Sequence, residues 1–144
     1  LKKIILFVFI TFFFIACKQT VSQAPINTNE ISQSVNASVE QAFNQHLNNV
    51  QVKGKGEVVK LLADDNNGLR HQKFLVKISP SQTLLFAYNL DLAPRIEPLA
   101  VGDTLEFKGE YVYNPKGGIV HWTHKDPQGI HEAGWVKHNG KVYE

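Results

Sequence analysis

Residues 104–113 alternate almost without a break between two kinds of position. Leu105, Phe107, Gly109, Tyr111 and Tyr113 fall on one side, and Thr104, Glu106, Lys108, Glu110 and Val112 on the other. A period of two sustained over this length predicts a strand buried on one face. Asn114-Pro115-Lys116-Gly117-Gly118 follows. Its proline stops the ladder and its glycines accept positive φ, so the chain folds back into a shorter strand over residues 119–125. The same period appears upstream. Residues 51–62 predict a first strand, with Gly54 and Gly56 marking a bend or bulge. Residues 71–78 predict a second, with Phe74, Val76 and Ile78 inward and His71, Lys73, Leu75 and Lys77 outward. A hairpin turn on Asn67-Gly68 joins these two, and Ser79-Pro80-Ser81 leads to a third strand over residues 82–88.

Pro94 and Pro98 bar a strand across residues 89–100, which have room for one helical turn. Three strands, a helical connector and two further strands is the order of an OB-like fold, an all-β, five-stranded, partly open barrel. Two elements lie outside that plan. Asn139-Gly140 between residues 135–138 and 141–144 predicts a C-terminal hairpin extension. Val39, Phe43 and Leu47, spaced by four, predict a short amphipathic helix over residues 36–49, capped by Asn36 or Ser38.

The first residues are of another kind. Lys2 and Lys3 precede an apolar run over residues 4–16, too short to span a bilayer, where about 20 residues are needed. A charged start followed by an apolar middle is the pattern of a secretory signal. The run ends at Phe14-Ile15-Ala16-Cys17, which resembles a bacterial lipoprotein signal, with Cys17 as the lipidated residue. The organisation expected is a signal peptide over residues 1–16, a flexible polar tether over 17–35 and one folded domain over 36–144. Cys17 is the only cysteine, so an exported domain has no disulfide to form. Lys18 in place of aspartate favours sorting to the outer membrane. The expected location is therefore the periplasmic face of that membrane, with a released periplasmic or secreted protein as the alternative.

Loss of Lys2 and Lys3 leaves 13 basic residues of 15 against 13 acidic ones. A formally neutral domain lacks the basic excess on which phosphate neutralisation depends, so nucleic acid is not a favoured partner.

Four strings, GKGEVVKLLADDNNGLRHQKFLVKI, LLFAYNLDLAPRI, VGDTLEFKGEYVYNPKGGIVHWTHKDP and GWVKHNGKVY, make the chain resemble the bacterial family called domain of unknown function 3465 (DUF3465). The resemblance spans about residues 51–144. It implies a stand-alone exported or lipoprotein domain and brings no activity with it.

Candidate chemistry therefore comes from the residues themselves. Barrels of this type bind ligands across their second and third strands and the flanking loops. Arg70, His71 and Lys73 stand there as candidate binding residues, and Trp122 adds a stacking surface for a sugar, nucleotide or oligonucleotide. The segment HWTHKDPQGIH gathers zinc-type ligands. His124, Asp126 and His131 form the feasible set, and His121 is left outside because positions 121 and 124 of a regular strand face opposite ways. An occupied zinc site would polarise water for a metal-dependent phosphodiesterase or nuclease. No nucleophile elbow or phosphate-cradling loop accompanies it. The expectation is a monomeric binding module for a small polar, oligomeric or protein ligand, with the enzyme as the alternative.

Overall fold

The computed structural model describes residues 28–144, so the leader, Cys17 and most of the expected tether lie outside the described residues. In chain order the elements are α1 (Thr28–Asn44), β1 (Asn48–Leu61), β2 (His71–Ser79), β3 (Gln82–Asn89), β4 (Thr104–Val112), β5 (Ile119–His121), β6 (Trp135–His138) and β7 (Lys141–Tyr143). The strands follow the order β1-β2-β3-β5-β4, and β1 pairs again with β4, which closes a five-stranded barrel. The fourteen-residue β1 makes closure feasible by pairing β4 through Asn48 to Glu57 and β2 through Glu57 to Leu61. The OB-like expectation holds.

Alternation decides which side chains enter the barrel. Phe74, Val76, Leu84, Phe86, Leu105, Phe107 and Tyr111 are all fully buried. Phe86 stacks on Phe74 at 5.1 Å and meets the edge of Phe107 at 4.9 Å. Each end of the barrel is closed by different means. Beside the C-terminal end of β2, α1 contributes Val39 and Ala42, and its buried Asn36 donates to the Ile78 carbonyl and accepts from the Lys55 N–H. Beside the N-terminal end, Gln72 exchanges two 3.0 Å hydrogen bonds with the backbone of the buried Ile96.

Several local expectations change. The helix begins at Thr28, so residues 28–35 are helical rather than tether, and Asn36 is not a cap but a mid-helix side chain spent on the barrel. Gly54 and Gly56 stay paired in the β1–β4 ladder, and the register shifts of β1 fall elsewhere, between Asn48 and Val50 and between Val58 and Lys60. Gly54 is required by close packing, since a Cβ there would lie 2.7 Å from both the Asn36 amide oxygen and the Phe107 ring. The connector after β3 holds one hydrogen-bonded turn at residues 90–92 and no helix, and Ile96 does the plugging. The link from β1 to β2 is a nine-residue loop with an Asp65–His71 bridge, not a tight hairpin.

The largest difference concerns β5. It stops at His121 because Trp122 takes φ 51°, a left-handed conformation that a bulky residue adopts only where its surroundings impose it. β5 and β6 then lie end to end along one edge of β4, with His121 opposite Glu110 and Trp135 opposite Lys108. The C-terminal hairpin thus extends the five-stranded barrel by two strands, as expected, and it does so on the stretch of β4 that β5 leaves unpaired. Residues 122–134 form an excursion pinched at its base by the hydrogen bond from Gly134 N–H to the His124 carbonyl.

Candidate functional site

The histidine-rich segment lies wholly on this excursion and its flanks. Asp126 accepts hydrogen bonds from the N–H groups of Gln128, Ile130 and His131, which bend the loop around its carboxylate. Those donors hold the Asp126 carboxyl below its ordinary range. His124 is buried, and its Nδ1 lies 2.7 Å from the Lys125 carbonyl oxygen. His131 stacks on Trp122 at 3.7 Å, the same ring that His124 meets at 5.4 Å. The expected zinc set of His124, Asp126 and His131 is therefore not gathered, because each side chain is already used by the loop's own folding. Among the described residues no three His, Cys, Asp or Glu side chains form a group that could hold a metal ion.

What the excursion does bring together is a polar cluster on the outer face of the barrel. Gln51, Glu110 and His121 are register partners on β1, β4 and β5. His121 Nε2 lies 3.4 Å from one Glu110 carboxylate oxygen, and His131 Nδ1 lies 3.9 Å from the other. Burial lowers the His121 pKa, with Glu110 opposing and His131 adding to the shift. The Gln51 amide donates to the Glu132 carbonyl while its own oxygen stays buried without a partner. Beside this cluster, Trp122, Leu92, Ile130 and His131 border a cavity of about 230 Å³.

Of the other expected binding residues, Arg70 is committed to Asp91, with its Nε 2.7 Å from one carboxylate oxygen and its N–H donating to the second. These two bonds, the backbone one foremost, hold the Asp91 carboxyl below its ordinary range. Lys73 stands 3.8 Å from Asp65, and the His71 backbone is engaged in the bridge to Asp65. No arginine or lysine lines the cavity beside Trp122.

A larger feature went unremarked in the sequence. Lys60, Leu75, Leu85, Ile119 and Val112 are successive register partners across β1, β2, β3, β5 and β4, a row on the outer face. A groove of about 670 Å³ follows this row, walled by Val59, Leu62, Leu75, Leu85 and Ile119, with Lys60, Thr83, Asn114 and Lys116 among its polar borders. The β4–β5 turn shapes one border. Gly117 sits at φ 126°, and a Cβ there would strike the Thr83 carbonyl. The signal was present in the alternation, since Leu75 and Leu85 occupy outward positions where a solvated barrel face would carry polar residues.

With this geometry in hand, residues 21–144 match the family described as protein of unknown function (DUF3465). The chain belongs to that family. Membership covers the barrel, α1 and the histidine excursion together, so within the DUF3465 match the excursion belongs to the domain itself. No curated protein matches the chain.

Proposed function

We propose that this protein is a ligand-binding module that takes its ligand in the groove across β2, β3 and β5, tethered by lipidated Cys17 to the periplasmic face of the outer membrane. The groove carries the reading. A cavity of about 670 Å³ lies within the range of small-molecule sites, and aliphatic side chains raised on rigid strands are its walls. The position agrees with the face that barrels of this class commonly use. The hydrolytic alternative draws no comparable support, because Asp126 and His124 are spent on backbone groups of their own loop. A sugar or nucleotide stacked on Trp122 is less well supported than a groove ligand, since His131 already covers one face of that ring.

The test uses the anionic dye 1-anilinonaphthalene-8-sulfonate with the folded full chain. Its fluorescence should rise with wild type and fall toward background with Leu85→Glu, which sets a carboxylate in the middle of the row. Equal signals from both proteins, with melting temperatures matched, would remove the groove as the binding site.

A further inference from the structure

We infer that the groove's ligand is an aliphatic chain bearing an anionic head, of the fatty-acid class, an inference that rests on the groove being a binding site.

Three observations point to it. The walls are aliphatic. Phe74, Phe86, Tyr88, Phe107 and Tyr111 all turn into the barrel, so the row of Leu75, Leu85 and Ile119 offers no ring on which a base or sugar could stack. Neither tryptophan borders the groove; Trp122 stacks with His131, and Trp135 lies under the Lys53 ammonium at 5.6 Å.

The charge is one-sided. Lys60 and Lys116 border the groove, and no Asp or Glu does. Arg70, Lys73, Arg95, Lys108, Lys125 and Lys137 each have a carboxylate partner, whereas Lys60 and Lys116 make no ion pair among the described residues; Lys53, Lys55, Lys77 and Lys141 are likewise without one, but none of them borders the groove. An apolar strip bordered by two uncompensated ammonium groups is complementary to an acyl chain that ends in a carboxylate.

The shape fits a single chain. At a strand spacing of about 4.8 Å, the row from Leu75 over Leu85 to Ile119 runs about 10 Å across the sheet. Lys60 continues the same row at its β1 end, where a head group would sit.

The experiment is carried out on the folded full chain with laurate carrying a diazirine at its far end. Photolabel should map to peptides containing Leu75, Leu85 or Ile119. Unlabelled laurate should compete at about one tenth of the concentration of dodecylammonium, a ratio set by the charge of the head. Once the competitor is too short to fill the row, each further methylene removed should weaken it about fourfold. The decisive variant is the charge reversal Lys60→Glu with Lys116→Glu, both at exposed positions, which should invert the preference in favour of dodecylammonium.

An unchanged preference for laurate in that variant would overturn the inference. So would photolabel confined to other peptides, or an oligonucleotide, an acidic peptide or a second copy of the chain displacing the probe more readily than laurate does. If the dye of the preceding test binds in a Leu85-dependent way and laurate fails to displace it, the ligand class is wrong and the binding site stands. If the dye shows no Leu85 dependence, both readings fall.

Discussion

Asp126 shows how one side chain can imitate a metal ligand in sequence and serve another purpose in the fold. Its spacing to His124 and His131 suits a coordination set, yet its two oxygens accept three backbone N–H groups and so define the loop that carries those histidines. Hydrogen bonds to the ionised form lower a carboxyl pKa, and the sign of the linkage follows. The contribution is fully present above the ordinary carboxylate value of about 3.9 and is lost as pH falls through the lowered folded value. Asp126→Ala at pH 7 should therefore reproduce a loop opening that wild type is expected to undergo only in acid. Hydrogen exchange at Gln128, Ile130 and His131 should accelerate by about tenfold or more. Added zinc or a chelator should leave both proteins unchanged, and protection restored by zinc would return His124, Asp126 and His131 to the role of ligands. Trp122 is the residue that sequence could not place. Alternation carries the strand on to residue 125, whereas in the fold Trp122 sits at positive φ with its indole packed on His131.

Among the elements, α1 depends most on a contact that no local pattern reveals. The spacing of Val39, Phe43 and Leu47 identifies a helix, while Asn36 looks like the residue that starts it. In the fold Asn36 lies within α1, is 2% exposed, and bridges the Lys55 N–H of β1 and the Ile78 carbonyl of β2. Gly54 beneath it leaves the room. Replacing Asn36 by Ala would leave the buried Ile78 carbonyl and the part-buried Lys55 N–H without their partner, at a cost of about 2 kcal/mol. Denaturant unfolding should show that loss for Asn36→Ala, whereas Ser38→Ala, whose hydroxyl bonds Lys53 at an exposed site, should lose much less. Equal losses would mean that the buried pair adds nothing beyond an ordinary surface contact. The C-terminal hairpin makes a similar point. Its turn was evident, because Asn139 and Gly140 both take positive φ, but its place beside β5 on β4 depends on where β5 ends.

At the scale of the whole molecule, the barrel and its leader are separable claims. Among the described residues no helix is long and apolar enough to cross a membrane. The proposed attachment is through Cys17, which lies outside them. A lipid chain adds about 0.8 kcal/mol per buried methylene. Wild type should accordingly incorporate labelled palmitate and sediment with membranes, while Cys17→Ser should remain unprocessed and unlabelled. Soluble, unlabelled wild type would end the lipoprotein reading without touching the groove. The sequence alone determined the class of fold, the number and order of strands and the inward faces, because a two-residue period and turn chemistry are local properties that survive in any context, and its longer strings carried the resemblance to the family. Only the tertiary structure decided which polar residues remain free to bind. Arg70 and Asp91 are 21 positions apart, and Glu110 and His131 share neither a strand nor a turn. The groove has the same origin: Leu75, Leu85 and Ile119 are single outward residues on three strands, and they become one apolar surface only when barrel closure sets β3 beside β5.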